Sequence, residues 1–396
     1  MNQFSFEQLN PQLQASLQRM NITEPSEVQS ICIPHALQNE DLLVQAATGS
    51  GKTLAFLLPV LEMLEQQKPG KHFPAVLILA PTRELCIQIT GICRKLLENR
   101  EGVRTALLTG GTDMNTQIRS FSKGADIVVG TPARVLDHMR RHTFKPKKCT
   151  RLILDEADVM LSMGFENDVR ECIAQLPLEQ RMLFSATWPD QVKELAEEVL
   201  IHPFKTEIVN HDSLEQKIDA ECICVSESAK IDLLKKILKK HSGRTIIISN
   251  KRVTADFISR ILKEAGFAVS TVHSESSPDQ RRREMNQFRN GETEILAGTD
   301  AVSRGIDIPD ASLVISYDLP DVTDTLVHRF GRTARGGSAG KAVVFITPSQ
   351  SSAVNTLKEV FPDLRSSSFT PRRTESIRSQ RRMHSNATKN RKKRHV

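Results

Sequence analysis

Two tandem α/β domains, each a mainly parallel sheet covered by helices on both faces, are the fold class that this sequence predicts. A chain of 396 residues is longer than one hydrophobic core normally organises. Short apolar segments rich in β-branched residues alternate with longer amphipathic segments, which is typical of parallel sheets with helical crossovers. A polar stretch at 202–216 interrupts the alternation, which then starts again and so indicates a second domain.

The strands of both domains are predicted from short apolar runs. In the first half these runs are 41–45, 75–80, 104–109, 126–130, 151–155 and 181–185. In the second half they are 244–250, 268–274, 293–299, 312–318 and 342–347. Helical patterns follow most of them, as at 52–66 and 190–200. Ligands of open α/β sheets bind at the carboxyl ends of the strands, so we expect the functional residues there.

The domain boundaries follow from these patterns. We expect a first domain at 1–206, a linker at 207–217, a second domain at 218–363 and a basic, disordered tail at 364–396. The segment 371–396 holds ten Lys/Arg and one acid, a net charge of +9, so the other 370 residues carry −2 of the total +7. Such a tail is either a solubilising end or an electrostatic arm for nucleic acid, and its charge density favours the arm.

Composition excludes several other classes of protein. No apolar run reaches the length of a membrane span, and the N-terminal segment has no apolar stretch of the kind that signal peptides carry. The seven cysteines are scattered, and Cys222 and Cys224 have no second pair or nearby histidines, which disfavours a zinc site. A reduced, cytoplasmic compartment is the expected location.

A glycine-rich loop, "AATGSGKT" (46–53), follows the first predicted strand and opens a helix, which is the context of a phosphate-binding loop. Gly49 and Gly51 allow backbone N–H groups to turn toward phosphate oxygens. Lys52 would bring positive charge to the phosphates, and Thr53 a hydroxyl to Mg²⁺. A chance glycine-rich turn is the alternative. The combination of strand, loop, lysine and helix favours phosphate binding.

Three acids follow another predicted strand in "LILDEADVML" (152–161). Carboxylates at the end of a buried strand repel each other and cost desolvation free energy, unless a cation lies against them. Asp155 would then face Mg²⁺ through its water shell, and Glu156 would orient and deprotonate a water. Acids also favour helix N-termini, so a solvated helix start is the alternative. The phosphate loop upstream favours the metal site.

These motifs, with others in the same order, resemble the DEAD-box RNA helicases of superfamily two over about residues 4–350. The shared motifs are "EPSEVQ" (24–29), "AATGSGKT" (46–53), "PTREL" (81–85), "GG" (110–111), "TPAR" (131–134), "DEAD" (155–158), "SAT" (185–187), "TDAVSRGID" (299–307) and "HRFGRTAR" (328–335). The resemblance implies two RecA-like domains with ATP and Mg²⁺ bound in the cleft between them, and RNA-stimulated ATP hydrolysis coupled to closure of that cleft.

The resemblance also implies roles for individual residues. The nucleotide would contact Ile22, Gln29, Ala47, Thr48, Gly49, Ser50, Gly51, Lys52, Thr53 and Asp307. The catalytic residues would be Lys52, Asp155, Glu156, Arg332 and Arg335. Arg332 and Arg335 are spaced i and i+3, so on a helix both could face the same side. As arginine fingers they would reach the phosphates across the cleft.

RNA would be bound mainly through phosphate and ribose, with low sequence specificity. The residues implied for RNA binding are Thr82, Arg83, Gly111, Thr131, Arg134, Arg281 and Thr299. Those implied for coupling between the nucleotide and RNA sites are Asp158, Ser185, Thr187 and His328. The resemblance further implies local, non-processive separation of short duplexes or remodelling of ribonucleoproteins, including ribosomal ones, by a monomer.

The sequence departs from the family pattern at several positions. Ile22 follows Asn21 where an aromatic usually stacks on adenine, which predicts weaker adenine binding. The other departures are Ala133, Ile248, Lys251, Ser274, Pro278, Ser303 and Ala334. Many of them lie on the RNA side of the second domain, so we expect altered affinity with intact catalysis.

Two other functions compete with the helicase. An ATP-gated RNA clamp or scaffold would use the same motifs, although little sequence lies outside the two domains to dock a partner. A DNA helicase of the same superfamily is disfavoured by the "DEAD" and glutamine motifs.

Overall fold

The computed structural model describes residues 4–47, 49–65, 74–98, 103–121, 124–208, 218–273, 275–300, 311–320, 323–333 and 340–370. Three predicted site residues, Thr48, Asp307 and Arg335, lie outside the described residues, as do the departures at Ser274, Ser303 and Ala334. The basic segment 371–396 lies outside them too.

The first domain is built on a parallel sheet of seven described strands. They are β1 (Leu42–Ala46), β2 (Val76–Leu79), β3 (Thr105–Leu108), β4 (Ile127–Gly130), β5 (Arg151–Leu154), β6 (Gln180–Ser185) and β7 (Phe204–Ile208). Their order in the sheet is β3-β4-β2-β5-β6-β1-β7, and every pairing is parallel. The six strands predicted from apolar runs are all present.

Helices cover both faces of this sheet. They are α1 (Pro11–Arg19), α2 (Glu27–Leu37), α3 (Lys52–Glu65), α4 (Arg83–Leu96), α5 (Met114–Phe121), α6 (Pro132–Arg140), α7 (Ala157–Ser162), α8 (Glu166–Ile173) and α9 (Asp190–Val199). Leu42 and Val44 pack into one hydrophobic cluster, and Leu43 between them packs into the cluster on the opposite face. Strands buried on both faces therefore lack alternation, as their apolar sequences predict.

The second domain repeats this architecture. Its described strands are β8 (Ile218–Val225), β9 (Thr245–Ile248), β10 (Val269–Val272), β11 (Ile295–Gly298), β12 (Leu313–Ser316), β13 (Gly340–Ile346) and β14 (Arg365–Phe369), in the order β10-β11-β9-β12-β13-β8-β14. Its described helices are α10 (Lys230–Leu238), α11 (Arg252–Glu264), α12 (Pro278–Arg289), α13 (Thr323–Phe330) and α14 (Ala353–Val360). Both faces carry a hydrophobic core. The two-domain α/β prediction is thus confirmed.

The predicted domain boundaries are displaced by two edge strands. β7 runs to Ile208 and pairs with β1, so the predicted linker starts too early at 207. β14 pairs with β8, although the predicted tail begins at 364. Both strands lie at sheet edges and are only partly buried (β7) or largely exposed (β14), so backbone hydrogen bonds more than apolar periodicity specify them. Their polar sequences explain why the apolar pattern missed them.

The strand order divides the carboxyl edge of the first sheet into two regions. The neighbours β5, β6 and β1 lead into Asp155, Ser185 and the phosphate-binding loop. The neighbours β3, β4 and β2 lead into the Gly110–Gly111 loop, Thr131 and Thr82. Topology therefore gathers each predicted set of residues from distant parts of the chain. No helix within the described residues is long and apolar enough to cross a membrane.

Candidate active site and nucleic-acid interface

The phosphate-binding loop after β1 is shaped by two glycines and held by α2. Gly49 (φ 89°) and Gly51 (φ 101°) lie in the left-handed region, which favours glycine. The Gln29 side-chain amide donates to the Gly51 carbonyl oxygen and accepts from the Ser26 N–H, each at 3.1 Å. A Cβ on Gly51 would lie 2.5 Å from Gln29 Nε2. Gln29 therefore braces the loop, and its contact with the nucleotide stays a prediction.

Lys52 and Thr53 begin α3 at the end of this loop. Lys52 is buried, and its Nζ donates to the Ala46 carbonyl oxygen at 2.8 Å. The Ser50 N–H donates to the Ala47 carbonyl oxygen at 3.3 Å, which closes the loop into a turn. An ammonium group and the N-terminus of a helix of 14 residues together favour an anion at this position.

Asp155 and Glu156 follow β5 and are almost fully buried, at 3% and 4% exposure. Glu156 has φ 52° and ψ 53°, an unfavourable backbone for a residue with a side chain, and it precedes α7. Its N–H donates to Asp155 Oδ1 at 3.1 Å. Glu156 Oε2 is buried without a hydrogen-bond partner among the described residues. Burial raises the pKa of Asp155 to about 7, against the opposing charge of Lys52.

Thr53, Asp155 and Glu156 fit a hydrated Mg²⁺ ion. Hydroxyl and carboxylate oxygens, which Thr53 and Asp155 offer, are the ligands that Mg²⁺ prefers. A cation would favour the charged form of Asp155, which burial alone disfavours. The unpartnered Glu156 Oε2 is a buried acceptor to which a water could donate.

Lowering the pH through about 7 is expected to weaken Mg²⁺-dependent nucleotide binding. Asp155 holds its proton below its raised pKa of about 7, and the cation must displace that proton. Affinity should therefore fall by up to about tenfold per pH unit below the pKa. Titration calorimetry with a Mg²⁺–ATP analogue measures this affinity. Asp155→Asn is the control, because it lacks the carboxyl group and any pH dependence that it keeps comes from protonation of the analogue itself. Parallel pH profiles for the two proteins would contradict the expectation.

Asp158 joins the acidic segment to β6 and to the second domain. Its N–H donates to Ser185 Oγ at 3.2 Å, and Thr187 N–H and Oγ1 donate to its Oδ2 at 3.1 and 3.0 Å. His328 of α13 places Nε2 3.5 Å from the same oxygen. Burial opposes ionisation of Asp158, but the contacts with His328 and Thr187 outweigh it and hold its pKa well below the usual range. The four residues predicted for coupling are thus brought together.

The predicted RNA residues of the first domain gather along β3, β4 and β2. Thr82 caps α4 by accepting from the Leu85 N–H at 3.2 Å, and Thr131 lies at the start of α6. Arg83 donates to the Gly110 carbonyl oxygen at 3.4 Å, and Arg134 to that of Thr112 at 2.9 Å. Gly111 between these two carbonyls has φ 74°. Two guanidinium groups therefore hold the glycine loop from either side.

The two domains also meet through Arg281 at the start of α12. Arg281 Nη1 forms an ion pair with Glu84 of α4, and its Nη2 donates to the His273 carbonyl oxygen at 2.8 Å. A cavity of about 920 Å³ spans this junction and includes Arg83, the Gly110–Gly111 loop and Thr131. The structure thus brings Arg281 to the predicted RNA surface, and its contact with RNA stays a prediction.

The remaining predicted residues are placed separately. Ile22 packs against the core of the first domain. Thr299 follows β11 and is half-buried. Arg332, 4% exposed, lies in a turn past the end of α13 at Phe330. We expected Arg332 and Arg335 to face the same side of one helix. For Arg332 this expectation is wrong, because α13 ends at Phe330.

Sequence reasoning missed two buried polar networks. Arg329 is fully buried and binds both carboxylate oxygens of Asp300 at 2.7 and 2.8 Å, Ser316 Oγ at 2.7 Å and Asn250 Oδ1 at 2.8 Å. It thereby joins the ends of β11, β12 and β9. Its position next to the predicted coupling residue His328 in "HRFGRTAR" was a sequence signal for a functional role. The network itself follows from burial, since a buried arginine must be paired.

The second network lies behind the glycine loop of the first domain. Gln117 donates to the Thr109 carbonyl oxygen at 2.7 Å, and its Oε1 lies 3.1 Å from Nε2 of the buried His138. Thr143 Oγ1 lies 2.8 Å from Nδ1 of that imidazole. Burial lowers the pKa of His138, which favours the neutral ring. No spacing in the sequence indicates this contact, because the partners lie on different helices.

Two parallel-sheet domains, with a phosphate-binding loop beside buried acids in the first and a basic cleft at their junction, define the class of two-domain RecA-like nucleotide-driven helicases. The family model for the DEAD/DEAH box helicase matches residues 26–195, and that for the helicase conserved C-terminal domain matches 229–337. The chain belongs to the DEAD-box family of ATP-dependent RNA helicases.

Individual relatives resemble the chain over most of its length. The ATP-dependent RNA helicase CshA of Listeria monocytogenes is 35% identical over 361 residues, 91% of this chain and 69% of that protein. S. cerevisiae Dbp5 bound to RNA and ADP BeF3 has a TM-score of 0.81 at 30% identity, covering 92% of this chain and 95% of that one. Mss116p bound to ssRNA and AMP-PNP has a TM-score of 0.85 at 25% identity, covering 96% and 82%.

Proposed function

We propose that this protein hydrolyses ATP in response to RNA and uses the domain closure that this requires to separate short RNA duplexes or remodel ribonucleoproteins. The observation that carries the proposal is the contact of Asp158 with His328. The same segment that holds the proposed catalytic acids thereby touches the second domain. Closure of the cleft and assembly of the ATP site are then one event.

The positions of the site residues support a proposed role for each of them. Lys52 would bind the terminal phosphates, and Asp155 with Thr53 would hold Mg²⁺. Bound Mg²⁺ supplies positive charge to the phosphate oxygens. Glu156 accepts a proton from the attacking water, and Arg332 stabilises charge on the phosphoryl group from the second domain. Support comes from the burial of the four charged residues named here, Lys52, Asp155, Glu156 and Arg332.

RNA lies across the junction in this proposal, with its phosphates facing the first-domain edge and α12. Glycine N–H groups, threonine hydroxyls and guanidinium groups bind phosphate without reading bases. We infer low sequence specificity and a preference for RNA through its 2′-hydroxyls. We further propose a cytoplasmic monomer. None of the seven cysteines, all of which lie within the described residues, forms a disulfide, which supports a reducing compartment. Ribosomal RNA–protein particles are a proposed substrate.

Phosphate release from ATP tests this function when it is measured without nucleic acid, with single-stranded RNA and with DNA of matching sequence. We expect strong stimulation by RNA and little by DNA. Separation of a short labelled duplex, measured in parallel, then requires ATP. An ATPase rate that RNA leaves unchanged would refute the proposed function.

Deleting 371–396 is expected to weaken RNA binding and to flatten its salt dependence. The segment carries ten Lys/Arg and one acid, and each phosphate contact to a single strand contributes about −0.7 to the slope of log K against log salt. Fluorescence anisotropy at several salt concentrations measures that slope. A variant of equal length with Lys and Arg replaced by Gln is the matched control and should behave like the deletion. An unchanged slope in both variants would show that the tail does not contact RNA.

A further inference from the structure

The cavity at the domain junction extends beyond the predicted RNA residues. From Arg83 and the Gly110–Gly111 loop it continues between α4 and α12. This extension, which we call the α4–α12 space, is lined by Ile87, Gly91 and Lys95 on α4 and by Arg282, Met285 and Arg289 on α12. No motif assigns a ligand to it.

Gly91 is the most informative residue of the α4–α12 space. It lies in the interior of α4, where glycine is unfavourable relative to alanine. A Cβ built on Gly91 would meet no atom within 4 Å among the described residues outside its own helical turn. Packing therefore does not require a glycine. The missing side chain leaves the helix surface open toward the cavity, and glycine is used where a ligand approaches the backbone closely.

The charge of the cavity points to an anion. Its lining includes five cationic side chains and two carboxylates, and both carboxylates are already paired, Glu84 with Arg281 and Asp279 with Arg282. Lys95 is exposed and has no ion pair within the described part of the chain. Positive charge is thus in excess where the space is open.

Apolar surface accompanies this charge. Ile87, one helical turn before Gly91, is 45% exposed, and Met285 forms part of the opposite wall. An apolar surface beside the exposed Lys95 suits a nucleotide, which carries a flat base and a phosphate.

We propose that the α4–α12 space binds one further, unstacked nucleotide of the RNA strand. Its phosphate faces Lys95 and Arg282, and its base lies over Gly91 against Ile87. Continuity with the predicted RNA surface favours RNA over a partner protein as the occupant. The inference rests on the proposed function. Because the two walls belong to different domains, the subsite is complete only when the domains are together, and longer strands would favour the closed arrangement.

Gly91→Leu and Lys95→Ala test the subsite in the full chain. Leucine at position 91 fills the open surface of α4, and a helix tolerates leucine. Alanine at position 95 removes the cation. We measure Kd for single-stranded RNA of about six and about twelve nucleotides with a non-hydrolysable ATP analogue present. Each substitution is expected to weaken binding of the long strand by about fivefold or more and to change that of the short strand much less. Lys193→Ala on α9, an exposed helical lysine outside the cavity, is the matched control.

The outcomes separate the subsite from the proposed function. Equal Kd changes for both lengths, or no change for either, would overturn the subsite while RNA binding by the unsubstituted chain stands. A long strand with an abasic site that binds as tightly as the intact strand would overturn the base contact. Failure of the unsubstituted chain to bind RNA of either length would overturn the proposed function, and the subsite with it.

Discussion

Replacing Glu156 with glutamine is expected to lower RNA-stimulated ATP turnover by about 10²–10⁴-fold, the usual contribution of general base catalysis. Glu156 is held in a left-handed backbone conformation, and its Oε2 is buried without a partner among the described residues. Glutamine keeps the size of the side chain but cannot accept a proton from water at a useful rate. Phosphate release at saturating RNA and ATP measures the loss.

If Glu156→Gln loses turnover because the chemical step is slowed, the variant must still bind nucleotide and RNA. We therefore expect the Kd values for a nucleotide analogue and for RNA to change by less than about threefold, because a charge-only change without steric clash is a small perturbation. Glu171→Gln on α8 is the matched control, since Glu171 is exposed and pairs only with Arg140 in the described part of the chain. Turnover by Glu156→Gln within tenfold of the original chain would contradict the assignment of the base.

Replacing Arg332 with alanine is expected to lower turnover by about 10³–10⁵-fold, the range that an arginine finger contributes. Arg332 is 4% exposed in the turn after α13, four residues beyond His328, which contacts Asp158 of the first domain. A guanidinium group there would spread positive charge over several phosphate oxygens in the closed cleft. Single-turnover kinetics with saturating RNA separates this loss from slow product release.

The lysine variant distinguishes charge from geometry. Arg332→Lys keeps the positive charge but loses the planar fork, so its turnover should lie between those of the alanine variant and the original chain. Arg365→Ala in β14 is the control, because this half-exposed arginine pairs with Asp219 at the sheet edge. Normal turnover by Arg332→Ala would exclude a role for this residue in phosphoryl transfer.

Motifs that are local in sequence could be predicted, because a short segment determines their geometry. The loop from Ala46 to Thr53 needs only a strand, two glycines and a helix start, and the structure has all of them. The position of Asp155 and Glu156 at the end of a buried strand was equally predictable from the apolar run before them. Their assignment to a metal site depended on the distant phosphate-binding loop as well, and it stays a prediction.

Contacts between distant segments could not be predicted. Gln117 and His138 meet only because α5 and α6 pack against the same hydrophobic cluster. The Glu84–Arg281 ion pair joins residues almost two hundred positions apart across two domains. The edge strands β7 and β14 were missed for a different reason, because they are held mainly by backbone hydrogen bonds, which leave little trace in side-chain pattern.

Förster resonance energy transfer between fluorescent labels on the two domains tests most directly whether ATP and RNA together close the cleft at Asp158 and His328. Cysteines introduced as Lys193→Cys on α9 and Lys263→Cys on α11 can be labelled selectively, because the native cysteines are buried except for the half-buried Cys224. We predict a rise in transfer efficiency only when RNA and an ATP analogue are both present, and loss of that rise in His328→Ala. The same efficiency with neither, one or both ligands would contradict coupling through domain closure.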